Sequence, residues 1–486
     1  MSSTTGATPS DSGAASGARR LPRGVIARYA AGSLGTGGFA TLPGLVLVYY
    51  LTDSLGVTAL AAGLIVTLAK IWDVLIDPII GGLSDRALAA SGSRRGPMML
   101  GAIGLPIAFI LTFAVPAGLT PAAAAIWVLV AFIAAATFFS LFQVPYIALP
   151  AELTDGYAER TRLLTWRVVV LTLAILIFGA GGPELRGLFP DDPRLGYLVM
   201  AIGAGLLLYA GLAIGASVAP RQAPMQLPAT RATGATAPRA LSLAHYREGL
   251  AALRESQPFR ALLGAFMLQG LATGLMLAGA QFVATWVLRD EGAVTPLFLA
   301  LIAPALLVAP VWKLVADRLG KERAFRLTSL AFMIATLALI AMVWVPGWWI
   351  LAPVALAGAA YAGMQTLPMS MLPDVISVDS ATRSGTENRA GVFGGVWTAG
   401  ETTGMALGST LLTLVLAATG YVESTANVTV EQPGIAITGI ALSFSLLPAL
   451  LMFASLFALG RYRLREHDVA GHPAAGATTG TEEDAA

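Results

Sequence analysis

The chain lacks cysteine altogether and is poor in charged residues. None of its 486 residues is Cys, which excludes disulfide frameworks, zinc–thiolate sites, iron–sulfur clusters and thiol nucleophiles. Only 12% are Asp, Glu, Lys or Arg, whereas soluble proteins average about 25%. Because so few charges cannot cover a water-facing surface, the composition excludes an ordinary soluble enzyme and a disordered protein.

Two further absences narrow the class of function. No Gly-rich loop precedes a Lys-Thr or Lys-Ser pair, as the common ATP-binding loop requires. No basic stripe alternates with aromatic residues, as nucleic-acid binding requires. We therefore expect no nucleic-acid partner, no enzymatic activity and no cofactor.

Long apolar runs dominate the chain instead, with 56% hydrophobic residues and a mean hydropathy of +0.73. Each run reaches the roughly 20 residues that a helix needs to cross about 30 Å of hydrocarbon. Because backbone amides in lipid must bond within their own segment, we predict an all-α membrane protein with twelve transmembrane helices. The runs lie near 25–51, 58–83, 98–116, 122–150, 163–183, 195–218, 259–288, 294–316, 324–345, 348–373, 390–419 and 435–460.

The order of apolar and polar stretches predicts five regions. Two six-helix halves, 23–218 and 258–462, are separated by a polar Pro-, Ala-, Thr- and Arg-rich linker at 219–257. Tails at 1–22 and 463–486 are composed mainly of small and polar residues, and we expect both to be disordered and cytoplasmic.

Basic residues are concentrated on the side of the termini. Of the 30 Lys and Arg residues, three lie in predicted external loops and three lie deep in spans, which leaves 24 on that side. The positive-inside rule then places both termini in the cytoplasm. We expect a monomer surrounded by lipid in the inner (plasma) membrane of a bacterium.

Short sequence motifs recur in corresponding loops of the two halves. Asp85-Arg86 closes the second span, and Asp317-Arg318 closes the eighth span 232 residues later. Glu152 and Asp374 similarly follow a Leu-Pro pair at the ends of the fourth and tenth spans. Asp-Arg pairs are also ordinary helix ends, but two six-helix repeats are typical of transporters with a site between the halves.

The second span contains three charged residues, Lys70, Asp73 and Asp77. Spacings of three and four place them on one helical face. Two carboxylates one turn apart repel in a low dielectric unless a cation or proton lies between them. The stripe therefore predicts a site for Na⁺ or H⁺, and the alternative is a Lys–Asp ion pair that only holds helices together.

Several stretches make the chain resemble the glycoside–pentoside–hexuronide:cation symporters of the major facilitator superfamily. The resemblance covers most of the chain and implies the twelve-helix major facilitator fold and cation-coupled symport of a sugar or glycoside by alternating access. The matching stretches are 70–81 (KIWDVLIDPIIG), 49–53 (YYLTD), 145–149 (PYIAL) with 159–163 (ERTRL), and 374–376 (DVI) with 395–398 (GVWT).

The resemblance assigns roles to the charged face of the second helix. In the family, the carboxylates that match Asp73 and Asp77 bind the coupling cation, and a basic residue stands at Lys70. A fourth-helix hydroxyl that assists the cation falls on Ser140. The same resemblance makes Asp85-Arg86 and Asp317-Arg318 gating residues, which latch the halves together on the cytoplasmic side.

The sugar positions of the family are altered in this chain. Thr36 stands where a charged pair of the first helix meets the sugar, Gln143 replaces an aspartate, Ile147 replaces a tryptophan, and Thr402 replaces a lysine, whereas Arg167 is retained. These remain the expected solute-binding positions. Their apolar and neutral character disfavours a galactoside and leaves open a lipid-like solute or a proton-coupled exporter on the same scaffold.

Glu401 is the only charged residue in 391–418. Desolvation in a span favours a protonated or ion-paired carboxyl group, and Lys70 or Arg167 could supply the pair. We expect either a substrate contact or a proton carrier, and the alternative is a neutral acid bonded to a backbone carbonyl.

Overall fold

The computed structural model describes residues 20–154, 157–219, 253–382, 390–425, 428, 430–462 and 464. Most of the predicted tails and linker therefore lies outside the described residues. Twelve described segments are helical, apolar and long enough to cross a membrane, which confirms the predicted all-α fold with twelve spans. Between Leu55 and Thr425 lies an isolated antiparallel bridge, and the described part of the chain contains no strand.

The first eleven spans are the single helices α1 to α11, and the twelfth consists of α12 and α13. Short π-helical turns extend α1 over Tyr50–Ser54 and α7 over Val283–Val287. The bounds are α1 Arg23–Tyr49, α2 Ala59–Ser91, α3 Arg95–Phe113, α4 Pro121–Leu153, α5 Tyr157–Gly187, α6 Pro193–Ala216, α7 Gln257–Phe282, α8 Val294–Leu319, α9 Lys321–Ala338, α10 Leu351–Thr382, α11 Ala390–Ala418, α12 Gly434–Phe444 and α13 Leu446–Leu459.

Hydroxyl and carboxylate caps start several spans. The side chains of Thr58, Thr120 and Asp192 accept hydrogen bonds from backbone N–H groups in the first turns of α2, α4 and α6. These caps satisfy amides that no helical carbonyl can reach. They define where each span begins.

The same helix pairings recur in both halves. In the first half, α1 packs on α5 and α6, α3 packs on α4 and α6, and α2 packs on α4. In the second half, α7 packs on α11 and α13, α9 packs on α10 and α13, and α8 packs on α10. The two six-helix halves are therefore repeats of one packing arrangement.

The halves meet at the end of the spans away from the chain termini, which we call the far end. There α1 packs against α7, α2 against α11, and α5 against α8. Ideal Cβ atoms on Gly63 and Gly179 would lie 2.1 Å from Thr413 and Phe298 of the other half. Because these inter-half contacts concentrate at the far end, the space between the halves faces the termini.

Close packing of α7 on α11 depends on Gly408. A Cβ there would lie 2.4 Å from the backbone nitrogen of Leu275. We expect Gly408→Ala to lower the free energy of unfolding by about 1–3 kcal/mol, the usual cost of overpacking. Thermal unfolding in detergent, followed by tryptophan fluorescence, measures it.

Gly264 on α7 provides the matched control, because a Cβ there meets nothing within 4 Å. Gly264→Ala should unfold at or above the temperature of the parent, since Ala favours a helix. Equal unfolding temperatures for the two variants would contradict the packing role of Gly408.

Candidate functional site

Helix α2 presents two different faces. Its large exposed apolar side chains recur every three or four residues and mark the face that lipid would cover. At 100° per residue, Asp73 and Asp77 lie on the opposite side of the helix from this row. The acidic face therefore points toward the rest of the protein. The exposed row consists of Leu64, Leu68, Ile71, Leu75, Ile79 and Leu83.

The structure brings the four predicted cation-site residues together. The Nζ of Lys70 donates to Oδ2 of Asp73 at 2.9 Å. Asp73 is buried, and its Oδ1 has no hydrogen-bond partner among the described residues. The hydroxyl of Ser140 on α4 hydrogen-bonds to the carboxyl group of Asp77. Asp77 itself is exposed.

The charges of this cluster do not balance. Lys70 pairs with the carboxylate of Asp73, as the alternative of a purely structural ion pair requires. A second carboxylate, that of Asp77, remains. If both acids are ionised, one negative charge is left over inside a span, where an uncompensated charge is costly. A monovalent cation or a proton would neutralise it.

Helix α4 carries the next part of the site. The Nε1 of Trp72 donates to Oγ1 of Thr137 at 2.8 Å, which ties α2 to α4 beside the acids. Spacings of three and four place Ser140, Gln143 and Ile147 on one face of α4. The Oε1 of Gln143 is buried without a partner in the described structure, and Ile147 is 54% exposed.

Tyr146 holds the predicted Arg167 in place. The Arg167 guanidinium lies 5.3 Å from the centre of the Tyr146 ring, and that ring stacks on Tyr29 with centroids 4.6 Å apart. The Tyr146 hydroxyl donates to the carbonyl of Tyr29 at 2.6 Å and lies 2.9 Å from Oγ of Ser33. The sequence motif includes Tyr146 but does not reveal this role, since Tyr29 and Ser33, which position its ring and hydroxyl, lie more than 110 residues away.

Buried polar atoms without partners mark the predicted positions of the first half. Thr36 is 3% exposed, and its Oγ1 has no partner among the described residues. The same holds for Oδ1 of Asp73, Oε1 of Gln143 and Nε of Arg167. Buried polar groups are nearly always hydrogen-bonded, so a bound molecule or water would complete these positions.

Glu401 and Thr402 lie half-buried on α11 in the second half. Glu401 forms no ion pair with Lys70 or Arg167 in the described structure, and Lys70 is paired with Asp73 instead. Glu401 lines a pocket between α7, α10 and α11. The two predicted groups of acids therefore belong to different halves.

The predicted gating residues lie at the termini end. Arg94 binds Asp85 at 2.7 Å and Glu152 at 2.5 Å, and all three residues belong to the first half. In the second half, Lys321 binds Asp374 at 2.6 Å. These ion pairs hold each half together. Arg86, Asp317 and Arg318 are exposed.

A polar network at the far end was not predicted from the sequence. The hydroxyl of Tyr421, after α11, donates to Oδ1 of buried Asp53 at 2.6 Å. Trp286 donates to the same hydroxyl at 2.7 Å, and Thr52 donates to Oδ2 of Asp53 at 2.6 Å. Burial and the Asp53 carboxylate raise the pKa of Tyr421 well above its usual range, so its proton is retained.

Further contacts join the halves beside this network. The backbone N–H of Ala59 donates to Oε1 of Glu423 at 2.8 Å, and Arg186 lies 3.4 Å from Oε2 of Glu291. We call the inter-half contacts of residues 52–59 with 421–425 and of 186 with 291 the far-end gate. These contacts join the two halves on this side.

Comparison with known proteins identifies the scaffold. A family profile described as MFS/sugar transport protein matches residues 28–466. The chain is 24% identical over 453 residues to the glucuronide carrier protein homolog of Escherichia coli, covering 91% of this chain and 93% of that protein.

Two other similarities concern an animal protein and a solved structure. The chain is 25% identical over 363 residues to the sodium-dependent lysophosphatidylcholine symporter 1 of Mus musculus, covering 68% of this chain and 66% of that protein. The crystal structure of a D-xylose-proton symporter superposes with a TM-score of 0.63, at 13% identity, over 90% of this chain and 96% of that one. At this identity the superposition shows a shared fold.

Proposed function

Because the chain belongs to the MFS/sugar transport protein family, we propose that this integral membrane protein couples Na⁺ or H⁺ to the symport of a sugar or glycoside by alternating access. The observation that carries the proposal is the unbalanced charge of Lys70, Asp73 and Asp77 on the protein-facing side of α2. A cation bound there would favour one opening of the transporter over the other in proportion to its difference in affinity.

The proposed solute site lies beside the cation site in the first half. Thr36, Gln143 and Arg167 each offer a buried polar atom without a partner in the described structure. A guanidinium donates well to hydroxyl and carboxylate oxygens, so the arrangement suits a sugar or a sugar acid. The similarity to a glucuronide carrier homolog supports the same class of solute.

A lipid-like solute is a second candidate. Ile147 exposes 54% of its surface on the face of α4 that carries Ser140 and Gln143, and a relative is named as a lysophosphatidylcholine symporter. Uptake of labelled glucuronides and labelled lysolipids by the same vesicles separates the two candidates.

The membrane orientation follows from the basic residues. With 24 of the 30 Lys and Arg residues on the side of the termini, we propose that both termini are cytoplasmic. The far-end gate would then close the external side, and the space between the halves would face the cytoplasm.

The test is ion movement driven by solute in proteoliposomes. Purified protein is reconstituted, and internal pH and Na⁺ are followed while a panel of sugars, sugar acids and glycosides is added. A transported solute should carry Na⁺ or H⁺ with it down the solute gradient. Solute uptake that moves neither ion would overturn the coupling.

Gln143→Ala should weaken solute binding more than ion binding. Loss of one hydrogen bond of about 0.5–1.5 kcal/mol raises the solute Kd roughly 2- to 12-fold. Isothermal titration with solute and with Na⁺ measures the two affinities separately.

The control is Gln281→Ala, which removes another fully buried amide, on α7 of the second half. It should leave the solute Kd close to that of the parent. Unchanged solute affinity in Gln143→Ala would argue against the placement of the solute on α4.

A further inference from the structure

The pocket around Glu401 is separate from the Asp73–Asp77 site. It lies wholly within the second half. Helix α7 contributes Gln269 and Thr273, α10 contributes Tyr361 and Gln365, and α11 contributes Glu401. Every polar group of this pocket therefore moves with the second half, whereas Asp73 and Asp77 move with the first.

The hydrogen bonds of Gln269 determine which of its atoms is free. The hydroxyl of Ser329 donates to the carbonyl of Phe325 at 2.9 Å, and that of Ser455 donates to the carbonyl of Ala265 at 3.0 Å. Both hydroxyls have used their protons, so they must accept from Nε2 of Gln269, at 2.9 and 3.1 Å. The atom left over is the acceptor Oε1.

The free Oε1 of Gln269 is buried. Gln269 is 2% exposed, and its Oε1 has no partner among the described residues. Helix-to-helix bonding explains the amide nitrogen, which bridges α9 and α13, but it does not explain the oxygen. An unsatisfied buried acceptor is costly, so the pocket is incomplete without a donor or a cation.

The remaining groups of the pocket are mostly acceptors. The Nε2 of Gln365 donates to the hydroxyl of Tyr361 at 2.7 Å. The hydroxyl of Thr273 donates to the backbone carbonyl of Gln269 at 3.0 Å, so its oxygen can only accept further hydrogen bonds. Tyr361 keeps the one hydroxyl proton that is free to donate. Glu401 adds two carboxylate oxygens, and none of the residues lining the pocket is basic.

We propose that Glu401, with Oε1 of Gln269 and the hydroxyl of Thr273, binds a second monovalent cation, Na⁺ or H⁺, within the second half. Hard oxygen ligands suit Na⁺, and a proton on Glu401 neutralises the same charge and supplies a donor. Tyr361 is the only other titratable group that lines the pocket. The role of this cation in transport rests on the proposed function, but its binding does not.

The experiment measures ion binding without any solute. Purified full-length protein in detergent is prepared as Asp73→Asn/Asp77→Asn, which removes the first site, and as the same protein with Glu401→Gln added. Equilibrium binding of radioactive ²²Na⁺ tests for sodium, and uptake of protons by a pH-indicator dye after an acid jump tests for protons. We expect the triple variant to bind about one cation per chain fewer than the double variant in one of the two assays.

Controls separate binding from misfolding. Glu431→Gln removes an exposed carboxylate outside the pocket and should leave ²²Na⁺ binding unchanged. Glu401→Asp keeps the charge and should retain the cation with lower affinity. Equal ²²Na⁺ binding and equal proton uptake in the double and triple variants would overturn the proposal, whereas failure of the symport proposal would appear only in the solute-driven assay.

Discussion

We expect Asp73→Asn and Asp77→Asn each to lower strongly the uptake of solute against its gradient while leaving exchange of solute across the membrane. Each variant leaves Lys70 balanced by a single carboxylate. Because no excess negative charge then remains to attract the cation, the ion gradient should no longer bias the two openings of the transporter. Coupling between ligands usually amounts to about 1–3 kcal/mol, so accumulation falls roughly 5- to 150-fold. Energised uptake and counterflow in proteoliposomes measure the two activities.

Asp191→Asn is the matched control for these variants. Asp191 is exposed in the loop before α6 and belongs to neither group of acids. Its variant should accumulate solute like the parent. If Asp73→Asn and Asp77→Asn also accumulate like the parent, the cation site lies elsewhere.

We expect Tyr421→Phe to favour opening of the far-end gate. The variant loses the hydrogen bond to Asp53 and leaves a buried carboxylate with one partner fewer. A hydrogen bond to a charged group contributes about 1.5–3 kcal/mol, so the equilibrium between closed and open far ends shifts roughly 12- to 160-fold toward open. Asp53→Asn, which removes the charge, should act in the same direction.

Cysteine labelling measures the opening directly, because the natural chain has no cysteine. Val66 lies two turns from Asp73 toward the far end, on the same face of α2. In Val66→Cys, a membrane-impermeant maleimide applied from the far side should react slowly, and Tyr421→Phe should speed the reaction. Glu431→Gln serves as the control, and labelling rates that Tyr421→Phe does not change would contradict the role of the gate.

Much of the fold could be predicted because membrane spans are set by local composition. The twelve apolar runs of the sequence correspond to the twelve spans of the structure. The resemblance to the symporter family is confirmed by the family match. The break inside the last span was not predicted. At Ser445 the backbone turns to φ −124° and ψ −75° between α12 and α13. Pro448 follows three residues later and cannot donate a helical hydrogen bond to the carbonyl of Phe444, so the sequence does contain a signal for this break.

The candidate site was predictable only where helical spacing defines it. Lys70, Asp73 and Asp77 share one face by arithmetic along a single helix, and the structure places them together with Ser140. Asp53 and Tyr421 are 368 residues apart, and no local pattern links them. The same applies to Gln269, whose free oxygen depends on hydroxyls from two other helices.

The recurrence of helix pairings between the halves makes the chain resemble a fused dimer. Exchanging the halves converts the contact of α2 with α11 into the contact of α8 with α5, and it leaves the contact of α1 with α7 unchanged. The contact surface between the halves is therefore isologous, as in a symmetric dimer. By this symmetry, a movement that separates α2 from α11 would also separate α5 from α8. Each half carries its own acids, so the two groups of acids can be tested separately by mutation without altering the contact surface that the halves share.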